Sequence, residues 1–205
     1  MTENKKIDRK TVEKTLAAVA LVCIATLSGA FVPLSDDTYI HLGDVAVYAV
    51  AMLCPFSTAV WAAAVGCALA DLILGSAVYA IPTIIIKTVT VIAAVRLRRL
   101  AKTTEDGDLF VCFSGVVTIV GYCIAEFVIT LIRGDGLSRA WSEAVGSLTF
   151  NTVQALAAAA VFMMLAGFIR KMYAKFTAPK VKKERRGLFA RRKKESETET
   201  GEDDE

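Results

Sequence analysis

Long apolar runs alternate along the chain with short polar clusters, and six runs stand out, at 12–32, 42–54, 57–75, 82–95, 109–132 and 142–168. A helix rises 1.5 Å per residue and needs roughly 20 apolar residues to cross ~30 Å of hydrocarbon, whereas a helix in a soluble core is shorter and keeps one polar face. The pattern therefore predicts an all-α integral membrane protein, a six-transmembrane-helix bundle. Runs two and four are short. Pro33, Pro55 and Pro82 mark run boundaries, where a missing N–H and a fixed φ stop or start a helix at little cost, and Pro179 begins the tail.

Composition strengthens this reading: 55% of residues are hydrophobic and the mean hydropathy is +0.50, more than a soluble domain usually carries. Most of the 24 Lys and Arg and 21 Asp and Glu gather at the two ends and in two short loops. Basic loops stay on the cytoplasmic side of a membrane. Lys5, Lys6, Arg9, Lys10 and Lys14 precede the first run, Arg96, Arg98, Arg99 and Lys102 follow the fourth, and Arg170, Lys171 and Lys175 follow the sixth. Both termini are thus expected in the cytoplasm, with 33–41, 76–81 and 133–141 facing outward. The expected organisation is a basic N-terminus over 1–11, a membrane domain over 12–170 and a charged, unfolded tail over 171–205. The first run is long and lacks a small-residue cleavage motif, so it is expected to remain in the membrane.

Enzyme chemistry finds no support. His41 is the only histidine, there is no Gly-rich phosphate loop, and Cys23, Cys54, Cys67, Cys112 and Cys123 lie in apolar runs without metal or redox spacing. No catalytic residue, metal or cofactor is expected. The tail splits into a basic block, Lys180–Lys194, and an acidic block, Glu195–Glu205. The basic block suits anionic lipid or plain solvation, and nothing beside it suggests a nucleic-acid fold.

The informative residues are the polar ones inside the runs, because an ionisable group in hydrocarbon costs a few kcal/mol or more unless paired or wet. They are Asp44, Asp71, Lys87, Glu126, Asn151 and Gln154. Counted from the outer boundaries, all fall in the outward half of the membrane. The second run is too short to cross, so its start, with His41, Gly43 and Asp44, is expected to be sunken beside an outward-open pocket. Asp71 and Lys87 stand at similar depth on adjacent runs and are expected to pair, with ligand contact as the alternative. Tyr122 or Asn151 is expected to cap Glu126 if it is not a ligand contact. Asn151 and Gln154 share one helix face at i and i+3 and offer neutral donors and acceptors. Tyr39, Tyr79 and Trp141 fall near the outer interface, as belt or lid residues.

Three stretches carry a family likeness: HLGD at His41–Asp44, GCALADLILG at Gly66–Gly75 and YAIPTIIIK at Tyr79–Lys87. Together with the looser pattern across 12–170, they resemble the substrate-binding S components of energy-coupling factor (ECF) transporters. The resemblance implies a six-helix bundle in the bacterial cell membrane that captures a water-soluble vitamin or precursor from outside beneath a lid between spans one and two; Tyr39 and His41 join the candidate ligand contacts by their place at the outer end. It also implies docking onto a membrane T component driven by two ATPase subunits. The family's AxxxA docking pattern is imperfect here, since Val22 follows Ala18 and Ile24 follows Ala20; the small residues offered instead are Ala17 with Ala20 and Ala25 with Gly29. A self-sufficient permease would usually show a repeated half, and a structural or sensory protein would leave the polar residues at one depth unexplained. Three carboxylates against one lysine favour a neutral or cationic heterocycle over a multiply anionic one.

Overall fold

The computed structural model describes residues 8–28, 33–35, 38–39 and 42–177. It divides into two units, Met1–Ile169 and Arg170–Glu205. The order of elements is α1 (Arg9–Leu27), β1 (Pro33–Ser35), β2 (Thr38–Tyr39), α2 (Gly43–Leu53), α3 (Phe56–Ile73), a single 3-10 turn (Ala77–Tyr79), α4 (Ala80–Arg98), α5 (Thr104–Phe113), α6 (Gly115–Ile132) and α7 (Leu137–Thr177). Of the second unit, residues 170–177 are described, and they are the end of α7. Apart from the antiparallel β1–β2 ribbon, in which Pro33 faces Tyr39 and Ser35 faces Thr38, the described residues are helical or in short connections.

Four helical stretches are long and apolar enough to cross a membrane: Phe56–Ile73, Ala77–Arg98, Thr104–Ile132 and Leu137–Phe176, with Gly43–Leu53 as a shorter apolar helix. α1 has 19 residues, but Arg9, Lys10, Glu13 and Lys14 occupy its first turns, which shortens its apolar part. The distribution of side chains is that of a protein solvated by lipid. Ala59, Ala62, Ala63, Gly66 and Ala70 of α3 are buried, while Trp61, Leu72, Ile81, Ile85, Ile132 and Met164 are exposed. Small faces turned inward let helix backbones approach where no hydrophobic drive exists between helices. Gly66 shows how close: a Cβ there would lie 2.8 Å from the Val19 carbonyl oxygen on α1.

Two hydroxyl contacts fix α1 alongside α3 in parallel. Thr15 meets Thr58 at 3.1 Å near the start of both helices, and Thr26 meets Cys67 at 3.7 Å further along. α4 returns antiparallel beside α3, so the unit has two distinguishable ends. The starts of α1 and α3 share one end with the close of α4, which carries Arg96, Arg98 and Arg99. The finish of α3, with Asp71, shares the other with the start of α4.

Three expectations need correcting. The fourth run is not short, because Pro82 sits in the first turn of α4, where its missing N–H removes no helical bond. The fifth run begins earlier than expected, at Thr104, and remains one stretch long enough to cross, with a single turn residue, Ser114, between α5 and α6. The Ser114 hydroxyl donates to the Val111 carbonyl at 2.6 Å, and a Cβ on Gly115 would come within 2.5 Å of the Tyr48 hydroxyl. Ser–Gly steps are where helices kink, and here a tyrosine takes the space. Lastly, α7 begins at Leu137 and reduces the expected 133–141 loop to a turn through Gly134 and Gly136, whose φ of 83° and 84° a side chain would strain.

Candidate functional site

Asp44 lies in the first turn of α2, and Lys87 lies near the middle of α4. Their side chains form a buried ion pair, each 2% exposed. This corrects the expected Asp71–Lys87 pair: among the described residues the lysine ammonium bonds Asp44, and no ion pair joins it to Asp71. The physical reason is the short α2. Its N-terminus is sunken enough to bring Asp44 to the depth of Lys87, so the nearer carboxylate neutralises the charge. Lys87 also stands 5.5 Å from the centroid of the Tyr122 ring, an arrangement that favours a cation over a π face.

Above this pair lies a polar layer. The Tyr122 and Thr83 hydroxyls share a hydrogen bond of 2.9 Å, and the Tyr79 hydroxyl donates to Glu126 Oε1 at 2.7 Å. Glu126 therefore has Tyr79 as its partner, where Tyr122 or Asn151 was expected. Asp71 keeps Oδ2 buried and without a hydrogen-bond partner among the described residues.

Asp71, Tyr79, Tyr122 and Glu126 border a cavity of about 550 Å³. Its wall comes from the end of α3 (Asp71), the 3-10 turn (Tyr79), α6 (Tyr122, Glu126, Thr130) and the start of α7 (Glu143, Ser147, Phe150, Asn151), with Arg133, Asp135 and Arg139 from the turn and the opening of α7. Asn151 is held in its own helix, its Nδ2 donating to the Ser147 carbonyl at 2.8 Å and to Ser147 Oγ at 2.9 Å.

The structure thus brings Asp71, Glu126 and Asn151 to one cavity. Asp44, Lys87 and Gln154 are buried and do not line it. Gln154, 3% exposed, sits three residues beyond Asn151, about 4.5 Å further along α7 and rotated by only about 60°, and at that depth it is buried behind the cavity wall. The side chains of Tyr39 and His41 lie outside the described residues, as does Gly29. Sequence reasoning missed Arg133, Asp135, Arg139 and Glu143, which it left in a loop and at a helix start. Their signal was charge density: four charged residues within eleven positions beside an apolar span.

With this geometry in view, the family comparison is decisive. The sequence matches the family described as ECF-type riboflavin transporter, S component, over residues 7–175. The chain belongs to that family. This S component is a multi-pass membrane protein of a transport system, in a family that is not one of enzymes. No curated protein matches the sequence.

Proposed function

We infer that this S component binds riboflavin or a close flavin relative in the cavity bordered by Asp71, Tyr79, Tyr122 and Glu126 and hands it to an ATP-driven partner complex. The observation that carries the reading is the cavity's dual lining. About 550 Å³ falls in the range of small-molecule sites. Tyr79, Tyr122 and Phe150 offer ring faces and edges to a flat tricycle, and Asp71, Glu126 and Asn151 offer acceptors to the hydroxyls of a sugar-alcohol chain. Asp71 brings a carboxylate to the wall, and its buried Oδ2 is an acceptor that would gain from a ligand hydroxyl reaching it. A neutral ring with a polyol suits a wall that mixes both charge signs better than a polyanion does.

The proposed orientation places the basic end, with Arg96, Arg98 and Arg99, in the cytoplasm and the cavity outside, giving six crossings when α1 and the short α2 are counted. In that frame the Asp44–Lys87 pair lies buried behind the cavity wall, with the Tyr122 ring between the lysine and the cavity side. A T component and two ATPase subunits supply the energy, since the chain carries no nucleotide loop. Docking by α1 would use Ala17 and Ala20, which are exposed in an apolar face with Leu16, Leu21 and Ile24; Ala25 is half-buried against the core.

Titrating riboflavin with the detergent-purified full chain tests the reading through quenching of flavin fluorescence. Saturable binding at one site per chain, weakened by Tyr79→Phe and by Glu126→Gln, is expected. Binding that is absent from protein with a cooperative thermal transition overturns the flavin assignment.

A further inference from the structure

We propose that the basic end carries a seat for the phosphate of an anionic phospholipid, between the close of α2, the start of α3 and the close of α4. A groove of about 400 Å³ opens there, lined by Ala51, Cys54, Phe56, Val95, Arg98 and Arg99. Four of these side chains make an apolar wall and two are guanidiniums. That division matches a lipid, with acyl chains along Phe56 and Val95 and a phosphate at the arginines.

Three further observations favour a bound anion over arginines solvated by water alone. Arg98 is held in place, because its Nη1 donates to the Met52 carbonyl at the end of α2, and its stem packs against the first turn of α5 at Gly107. A guanidinium carries five N–H donors in a planar fork, so this single bond leaves donors to spare. Second, among the described residues neither Arg98 nor Arg99 forms an ion pair, although both stand in one groove. Third, α3 begins at Phe56 with Pro55 as its N-cap and without a side-chain cap, so the positive end of that helix adds to the same field. The Thr15–Thr58 contact brings the start of α1, with Lys10 and Lys14, to this end as well. Such basic pockets between spans attract acidic headgroups.

The experiment reads lipid retention by native mass spectrometry of the full chain, titrated in detergent with phosphatidylglycerol or phosphatidylcholine. The wild type is expected to retain one phosphatidylglycerol per chain in preference to phosphatidylcholine. Arg98→Gln/Arg99→Gln is expected to cut that occupancy about thirtyfold, the loss of two interfacial charge contacts. Because Arg98 also holds the α2 end, Arg99→Gln alone serves as the second variant, with a loss of about fivefold and an unchanged thermal midpoint. Lys102→Gln, in the same loop but outside the groove, is expected to leave occupancy unchanged. Equal loss in Lys102→Gln would mean diffuse charge and overturn the seat. Displacement of the lipid by millimolar inorganic phosphate would make it a free-phosphate site, and equal retention of both lipids would leave no headgroup recognition; either result overturns the proposal.

Discussion

Two sets of charges lie within a few turns of each other and live in different solvents. Asp44 and Lys87 are sealed from solvent and bonded to each other, whereas Asp71, Glu126, Arg133, Asp135, Arg139 and Glu143 border a cavity. A sealed pair is locked together because either charge alone in a low-dielectric interior costs several kcal/mol. Cavity charges keep water as a reserve partner, so a ligand can displace it and a mutation can be absorbed. The difference separates residues that hold the helices from residues free to meet a solute.

The largest effect should come from breaking the sealed pair on one side only. Lys87→Met or Asp44→Leu should each cost about 3–5 kcal/mol, seen as a large drop in thermal midpoint in detergent. The double variant should recover most of the loss, because two apolar side chains strand nothing. A double variant as unstable as the sum of the singles would show that the pair does more than neutralise itself.

At the cavity the ranking of stability and affinity should reverse. Glu126→Gln weakens the bond from Tyr79 and should reduce flavin affinity by about tenfold, while stability falls by ~1 kcal/mol or less. Gln154→Leu sharpens the contrast, since Gln154 is buried but off the cavity wall. It should cost ~1–3 kcal/mol of stability and change affinity by no more than about twofold; an affinity loss without destabilisation would move Gln154 into the site. The smallest effect belongs to Arg139→Gln, because its pairing with Glu143 is an exposed i,i+4 contact at 3.6 Å. Its thermal stability should change by less than about 0.5 kcal/mol.

Helix existence was readable because lipid imposes a length and a composition on anything that crosses it, and Pro33 and Pro55 do fall between helices. Pro82 misled, since a proline that opens a helix and one that precedes it look alike in sequence. The need for glycine at 115 was invisible for a different reason: it comes from Tyr48, more than sixty residues earlier, whose hydroxyl occupies the space a side chain there would take. Depth along a span singled out Asp71, Glu126 and Asn151, which border one cavity, but could not choose the partner of Lys87. Asp44 and Asp71 both satisfied the depth rule, and only the packing of α2 against α4 decided between them.

The brevity of α2 has a consequence for the barrier itself. Its 11 residues span about 16 Å, against about 27 Å for the 18 residues of α3. The two helices meet at the turn through Cys54 and Pro55, so α2 falls short by roughly 10 Å at the opposite end. Asp44, in the first turn of α2, therefore lies about a third of the way along its neighbour, at a depth where an apolar slab leaves a charge no water, and the barrier stays closed to ions there because Lys87 meets it.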